Sequence, residues 1–326
     1  MSSLFSRRAL LRTLCISGAS LAAARAFALD PRPRLDPQEP DHAGGIEPPS
    51  IPLRAFGSSG RQLPALGLGC FPLGNLGSEE DAVAIVKRAH ADGVRYFDTA
   101  PSYADGASER RVGLGLKGCE RRELHVATKT LQRDGDAALA ELERSLERLG
   151  MDYVDCVQLH ELHDDLEAAF RKGGVVEALE SAREKKKLRG LGFTCHRDPK
   201  YALEALERHT FVSALVPVNA IDPQRLSFVK DFLPKARAKG VAVVAMKVYG
   251  GGALLKEGSK VSAAELLRWS LAQEGVCVAV PGADSLPRWA EARAAAGLPE
   301  LPRSALDDIA RRVGEHQGKS SEWYKE

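Results

Sequence analysis

The chain has 326 residues, of which 44% are hydrophobic and 28% are charged, so it can bury a sizeable core and is not disordered throughout. Its 46 basic and 44 acidic residues give a formal charge of +2, and the first 28 residues hold four arginines and no acid. The remainder therefore has 42 basic and 44 acidic residues, a charge of −2, which gives no indication of a nucleic-acid partner.

The first 28 residues have the pattern of a cleavable export signal. The pair Arg7-Arg8 precedes a weakly hydrophobic stretch, residues 14–24, and the sequence Ala26-Phe27-Ala28 follows as an A-x-A cleavage site. The stretch is too short and too rich in Ala, Ser and Gly for a stable membrane span. The paired arginines resemble a twin-arginine signal, which implies the twin-arginine export machinery as a partner and a periplasmic or exported protein. If the signal does not function, we expect a cytoplasmic protein.

Residues 29–50 are rich in proline and charge and are interpreted as a disordered linker. In residues 51–326, short apolar runs alternate with segments in which apolar residues recur at helical spacing. The predicted strands are 63–69, 95–98, 125–128, 153–159, 188–193, 213–216, 241–246 and 276–280. The predicted helices are 78–92, 109–116, 136–149, 175–186, 199–208, 226–239, 262–273 and 286–296, with an added helix at 303–314.

This alternation predicts a single-domain (β/α)8 TIM barrel, because eight strands are each followed by a helix. A doubly wound open sheet is the structural alternative, but eight units without a break favour closure. In a barrel the active site lies at the carboxyl ends of the strands.

Three other patterns give weaker indications. The sequence Gly113-Leu114-Gly115-Leu116-Lys117-Gly118 fits G-x-G-x-x-G, but it follows a helix and precedes a strand, which favours a helix end and a turn. The sequence His160-Glu161-Leu162-His163 is not H-E-x-x-H, and the six cysteines form no C-x-x-C pair, so we predict no metal site and isolated thiols. The glycines at 250–252 either let the backbone approach a phosphate or form a flexible turn.

Four side chains stand at or just beyond successive strand ends: Asp98, Tyr103, Lys129 and His160. A free tyrosine titrates near pH 10, and an adjacent ammonium would lower its pKa, so we expect Lys129 to make Tyr103 a proton donor. Asp98 would keep Lys129 charged, and His160 would donate a hydrogen bond to a carbonyl oxygen. Singly, each residue has an ordinary interpretation as a turn, loop or strand-end residue. Together at one barrel mouth they favour a site that protonates an alkoxide.

At these residues the sequence resembles the aldo-keto reductase family. Residues 93–103 resemble its first signature, Ala127-Thr128-Lys129 and Gln158-Leu159-His160 match the next two, and Val280-Pro281-Gly282 resembles its cofactor segment. The resemblance implies a (β/α)8 barrel that binds NADPH, or less often NADH, and reversibly reduces an aldehyde or ketone to an alcohol. It implies Tyr103 as the general acid and a small-molecule carbonyl compound as the substrate.

The resemblance also implies a cofactor site. Thr194 keeps a hydroxyl for the nicotinamide carboxamide, and His196 substitutes for an asparagine that Cys195 replaces. Met246 stands where the family has a stacking aromatic residue. Arg288 and Glu291 align with residues that contact a 2′-phosphate and adenine, so NADPH is favoured. The implied cofactor-binding set is Thr194, His196, Met246, Lys247, Gly282, Arg288 and Glu291, and Phe71 and Tyr249 are candidate walls of the substrate pocket.

These departures from the family pattern support a second hypothesis. The protein would be a nucleotide-binding sensor or accessory subunit with vestigial reductase activity. Tight nucleotide binding without carbonyl reduction would favour that hypothesis, whereas rapid turnover would exclude it.

Overall fold

The computed structural model describes residues 50–256, 258–315 and 322–326. The interpreted export signal, residues 1–28, and residues 29–49 of the interpreted linker lie outside the described residues. Within the described part of the chain, no helix is long and apolar enough to cross a membrane.

The described residues form a two-stranded antiparallel hairpin and an eight-stranded parallel sheet. The strands are β1 Leu53–Ala55, β2 Gln62–Pro64, β3 Leu68–Gly69, β4 Tyr96–Asp98, β5 His125–Thr130, β6 Val154–Leu159, β7 Leu188–Thr194, β8 Ser213–Pro217, β9 Ala242–Met246 and β10 Val276–Ala279.

The α-helices of the described residues are α1 Phe71–Gly74, α2 Glu79–Ala91, α3 Ala107–Gly115, α4 Gly135–Leu149, α5 Leu166–Phe170, α6 Val175–Glu184, α7 Pro199–Arg208, α8 Leu233–Ala238, α9 Ala263–Leu271, α10 Leu286–Ala296 and α11 Arg303–Gly314. Short 3-10 segments lie at Arg121–Glu123, Asp222–Gln224, Gly250–Leu255 and Trp323–Lys325, and a π-helical turn covers Phe228–Phe232.

The eight strands β3 to β10 pair in chain order, and β3 and β10 meet to close the sheet. Parallel bridges join Leu66 to Ala279 and Gly69 to Gly282. The Gly67 amide donates to the Ala279 carbonyl at 2.8 Å, and the Ala279 amide donates to the Ala65 carbonyl at 2.8 Å. The predicted (β/α)8 barrel is therefore confirmed.

Local sequence explains where the long helices begin and end. In α4, the Asp134 side chain accepts a hydrogen bond from the Ala137 amide at the first turn, and Gly150, with φ of 62°, ends the helix in the left-handed region. At α9, Ser262 and Glu265 form a capping box. The interpretation of residues 113–118 as a helix end is also confirmed, because α3 ends within that motif.

The hairpin β1–β2 closes the amino-terminal end of the barrel. Phe56 and Leu63 are almost fully buried and pack with Tyr96 in the interior of the barrel. The Ser58 amide donates to the carbonyl of Gly240, which precedes β9, at 2.8 Å. The hairpin therefore leaves the carboxyl ends of the strands as the open face.

Isolated thiols are confirmed for the described residues. Cys70, Cys119, Cys156, Cys195 and Cys277 are all free. Burial raises the pKa of Cys156 to about 12, so its thiol stays protonated and acts as a small apolar group.

Candidate active site

The structure brings the four strand-end side chains to one face of the barrel. Asp98 ends β4, Lys129 is the penultimate residue of β5, and His160 directly follows β6. Tyr103 lies in the loop between β4 and α3. Because β4, β5 and β6 are neighbours in a parallel sheet, their carboxyl ends are adjacent.

Lys129 is the centre of a buried polar network. Its ammonium donates to Asp98 Oδ2 at 2.6 Å and to the Thr99 carbonyl at 2.7 Å, and the lysine is only 1% exposed. Gln158 Nε2 donates to the other Asp98 oxygen at 2.8 Å. Burial alone would lower the pKa of Lys129, but Asp98 and Tyr103 outweigh it and raise the pKa above its usual value. The lysine is therefore charged throughout the neutral range.

Tyr103 lies against this ammonium, since Lys129 Nζ is 4.7 Å from the centre of the tyrosine ring. Lys129 lowers the Tyr103 pKa as expected, but the expectation that the net pKa lies below its ordinary value is wrong. Burial raises the pKa of Tyr103 to about 12, because the effect of burial is larger than the opposing effects of the Lys129 charge and of a hydrogen bond with Lys129. The phenol is therefore protonated at neutral pH, which is the state that a proton donor needs.

His160 is buried beside Tyr103, with 6.0 Å between the ring centres. Burial, and then the charge of Lys129, hold the pKa of His160 well below its usual range, so its imidazole is neutral and has one N–H to donate. Arg133 Nη2 donates to the His160 carbonyl at 2.7 Å and fixes the backbone at that point.

The loop that carries Tyr103 is anchored by buried polar residues that sequence reasoning did not assign. Glu109 accepts from Thr128 Oγ1 and from Arg148 Nε, both at 2.6 Å. Ser108 Oγ donates to the Cys70 carbonyl at 2.8 Å. The signal in the sequence for Glu109 is an acidic residue at the start of the predicted helix 109–116, six residues after Tyr103.

Thr194 and His196 follow β7 at the same face. The Thr194 side chain is fully buried, and its hydroxyl accepts from the Glu161 amide at 2.7 Å, which leaves its own proton to donate. The His196 ring centre lies 6.3 Å from that of His160. The Cys195 thiol donates instead to the Asp198 carbonyl at 3.4 Å and is buried. A hydroxyl and an imidazole are therefore available here for an amide group.

The strand end of β9 contributes Met246 and Lys247. Met246 is 8% exposed and joins the interior cluster of the barrel. Lys247 has a left-handed backbone, with φ of 54°, and is partly buried. Tyr249 follows in the same loop, and burial and then the nearby charge of Glu291 raise its pKa.

After the residues that follow β7 and those at the end of β9, the third group of predicted cofactor-binding residues lies near the amino-terminal end of α10. Gly282, Arg288 and Glu291 are all exposed there. Arg288 Nη1 pairs with Asp284 at 2.8 Å, so that aspartate faces the arginine. The first turn of α10 has no side-chain cap, which leaves amide groups for a phosphate, and the exposed Arg288 would bind a phosphate only in competition with Asp284. The residues at the three regions therefore fit a dinucleotide that bears phosphate groups.

Phe71 borders the mouth of the barrel next to Tyr103. It is 47% exposed, and its ring meets the Tyr103 ring edge-on with 5.1 Å between centres. Arg111 is buried and holds this region by donating to the carbonyls of Leu73 and Gly74. An apolar group bound beside the phenol would contact Phe71.

The geometry also brings together a cluster that the sequence motif did not suggest. His160, Glu161 and His196 have possible metal-ligand atoms all within 4.8 Å of one another, whereas His163 lies outside the cluster. The positive charges of Lys129 and Lys247 act on both histidines and would oppose a divalent cation.

Residues 65–265 match the sequence model of the Aldo/keto reductase family, which is more than half of the chain. The chain is 32% identical over 228 residues to L-galactose dehydrogenase of Arabidopsis thaliana, an alignment that covers 64% of this chain and 68% of that protein. It is 30% identical over 239 residues to glyoxal reductase of Bacillus subtilis, covering 68% of this chain and 79% of the relative.

The structure is similar to an aldo-keto reductase from Klebsiella pneumoniae solved in complex with NADPH. The TM-score is 0.69 at 24% identity, and the match covers 79% of this chain and 94% of that one. At this identity the likeness shows the fold.

Proposed function

Because the chain belongs to the aldo-keto reductase family, we propose that it is an NADPH-dependent oxidoreductase that reduces an aldehyde or ketone to an alcohol and catalyses the reverse reaction. The observation that carries this proposal is the contact between a protonated phenol and a buried ammonium at the barrel mouth. Lys129 Nζ lies 2.6 Å from Asp98 and 4.7 Å from the centre of the Tyr103 ring.

In the proposed reaction, Tyr103 donates its proton to the carbonyl oxygen of the substrate as that oxygen becomes an alcohol. The phenolate that remains is stabilised by the Lys129 ammonium, which Asp98 keeps charged and in place. In the reverse direction the same phenolate accepts the proton of the alcohol.

His160 has a separate role in this proposal. Its neutral imidazole donates a hydrogen bond to the carbonyl oxygen and polarises it before the proton moves. The low pKa of His160 supports this role, because the imidazole remains a hydrogen-bond donor and Tyr103 remains the acid.

NADPH, when bound, supplies the hydride that reduces the carbonyl carbon. We propose that Thr194 and His196 bind its carboxamide, that Met246 packs on its nicotinamide ring and that Lys247 contacts its phosphates. Gly282, Arg288 and Glu291 would bind its adenosine half at the amino-terminal end of α10. Arg288 favours NADPH over NADH because a guanidinium suits a 2′-phosphate.

The names of the relatives support chemistry in both directions. One relative is named for the oxidation of a sugar and another for the reduction of glyoxal. Both names are consistent with the reversible transfer of a hydride at the carbon and a proton at the oxygen of one carbonyl group.

The decisive variant is Tyr103→Phe, which removes one oxygen and keeps the ring that Phe71 and Lys129 contact. We expect it to lower the turnover of NADPH with a panel of aldehydes by about a hundredfold or more, since general acid catalysis contributes at least that much. Calorimetry should show unchanged affinity for NADPH.

Undiminished turnover in Tyr103→Phe would refute the assignment of the proton donor. If the unaltered protein binds NADPH tightly but reduces none of the aldehydes, the sensor or accessory-subunit hypothesis is favoured instead.

We also propose that the protein is exported through its twin-arginine pattern. Mass spectrometry of the native protein should then find Leu29 as the amino-terminal residue. An intact residue 1 in protein from the cytoplasm would contradict export.

A further inference from the structure

Lys247 presents a cation without an anionic partner at the barrel mouth. No described carboxylate pairs with its ammonium, although the charge of Glu161 is near enough to oppose the lowering of its pKa. The ammonium instead lies over the Trp323 ring, 4.7 Å from its centre, and 5.7 Å from the centre of the Tyr324 ring. Burial lowers the pKa of Lys247 to about 8, so it is still mostly charged at neutral pH.

The two aromatic rings belong to a tail segment, Glu322–Glu326, that is fixed by a buried ion pair. Lys325 Nζ donates to Asp222 Oδ1 at 2.9 Å and to the Arg225 carbonyl at 2.6 Å. The side chains of Lys325 and Asp222 are both fully buried. Breaking such a pair leaves a buried charge, so the tail segment is held firmly.

A second set of contacts joins the tail segment to the backbone of Lys247. Asn219 Nδ2 donates to the Tyr324 hydroxyl and to the Lys247 carbonyl, both at 2.9 Å. Gly251 packs against the Trp323 indole so closely that a Cβ there would lie 3.0 Å from Nε1. The tail segment therefore contacts the Lys247 ammonium directly and the Lys247 backbone through Asn219.

We propose that the tail segment Glu322–Glu326 positions Lys247, and that the Lys247 ammonium binds an anionic group of a ligand at the barrel mouth. The anion is either the nucleotide phosphate that the proposed function assigns to Lys247 or an acidic group on the carbonyl substrate, and the tail segment positions the ammonium in both cases. The proposal rests on the proposed function for the identity of these ligands, whereas binding itself is measured without turnover.

The cation is tested by Lys247→Met, which keeps the length of the side chain, and by Lys247→Arg, which keeps the charge. Affinities for NADPH and for 4-carboxybenzaldehyde are measured by calorimetry, and KM and kcat are measured for 4-carboxybenzaldehyde and benzaldehyde. Lys200→Met is the matched control, because Lys200 also lies 4.7 Å from a tyrosine ring centre but is exposed and paired with Asp198.

If the anion is on the nucleotide, Lys247→Met weakens NADPH binding by about tenfold or more and leaves the KM of both aldehydes unchanged. If the anion is on the substrate, Lys247→Met binds NADPH with unchanged affinity and binds only 4-carboxybenzaldehyde more weakly, by a similar factor. In either case Lys247→Arg retains most of the affinity and Lys200→Met has no effect. Unchanged binding of both ligands in Lys247→Met overturns the proposal.

The positioning role is tested by Trp323→Ala and Trp323→Phe. We expect Trp323→Ala to weaken binding of the same ligand by about three- to tenfold and to leave kcat unchanged, because a cation–π contact is lost. Trp323→Phe should restore the affinity, which a general loss of folding would not allow. Lys325 also pairs with the buried Glu322 at 2.6 Å, so the triple variant Lys325→Met, Asp222→Asn and Glu322→Gln removes all three charges of this cluster and should reproduce the effect of Trp323→Ala. Wild-type affinity in Trp323→Ala and in this triple variant would overturn the positioning role.

If the unaltered protein reduces neither these two aldehydes nor any other of the panel, the proposed function fails, but calorimetry still decides whether Lys247 binds an anion.

Discussion

At the scale of single residues, the site depends on which charges burial allows. Burial alone would lower the pKa of Lys129, and Asp98 is the largest effect that raises it. Burial also raises the pKa of Tyr103 to about 12, so the phenol gives up its proton only as the substrate oxygen takes it. The Asp98 carboxylate thus helps to keep the Lys129 ammonium charged beside the phenol.

The substitution Asp98→Asn tests this dependence. It keeps the shape of the side chain but removes the charge that raises the pKa of Lys129, so burial then lowers that pKa. Since only the charged lysine stabilises the phenolate, activity should be lost as pH rises through the lowered pKa. We expect the alkaline limb of the kcat profile to move to lower pH, and kcat at neutral pH to fall by about ten- to hundredfold, because a charge-assisted hydrogen bond is lost.

Gln158→Leu is the matched control for this measurement. It removes the hydrogen bond to the other Asp98 oxygen, which is 2.8 Å long, but it keeps the carboxylate charge beside Lys129. Its alkaline limb should coincide with that of the unaltered protein. An equal displacement in both variants would mean that the geometry of Asp98, and not its charge, sets the pH dependence.

At the scale of elements, most of the barrel could be predicted, since each element carries its own periodic signal. The helices Pro199–Arg208, Leu286–Ala296 and Arg303–Gly314 begin and end at the predicted residues. The predicted strand 63–69 is instead divided between β2 and β3. The hairpin is not evident from sequence because each of its strands has three residues, too few for a periodic pattern.

The parts of the site that sequence did not predict are those that depend on pairing across the fold. A strand-end position is a local property, and it led to Asp98, Lys129 and His160. The buried Lys325 is 103 residues from Asp222 in the chain, and nothing near a lysine in a polar segment indicates that it is fully buried. The roles of the neighbouring Trp323 and Tyr324 could not be predicted from sequence either, because their partners lie in the loops after β8 and β9.

At the scale of the whole molecule, the interior of the barrel contains buried titratable groups that make the folded protein less stable as pH falls. His125 is buried between Phe56 and Tyr96, with ring centres 4.6 Å and 4.9 Å away. Neither its ring nitrogens nor the Tyr96 hydroxyl has a hydrogen-bond partner among the described residues. Burial lowers the pKa of His125 to about 4 from an ordinary value of 6.5.

Between these two pKa values the unfolded chain binds a proton at His125 that the folded protein does not bind. The free energy of unfolding should therefore fall as pH is lowered from about 6.5 towards 4. At pH 5 the titration of His125 should lower the free energy of unfolding by on the order of 2 kcal/mol relative to neutral pH. Burial also holds the pKa values of His160 and His196 low, so these residues act in the same direction.

His125→Phe keeps an aromatic ring between Phe56 and Tyr96 and removes both the titration and the unpartnered nitrogens. Urea unfolding at pH 7 and pH 5 should show that this variant loses less stability on acidification than the unaltered protein, by on the order of 2 kcal/mol. Tyr96→Phe is the control, since it removes another unpartnered buried atom from a group whose pKa lies well above this range. It should be as sensitive to acid as the unaltered protein. Equal losses in all three proteins would mean that the folded barrel protonates His125 without cost, and that its interior is more polar than the packing of these rings indicates.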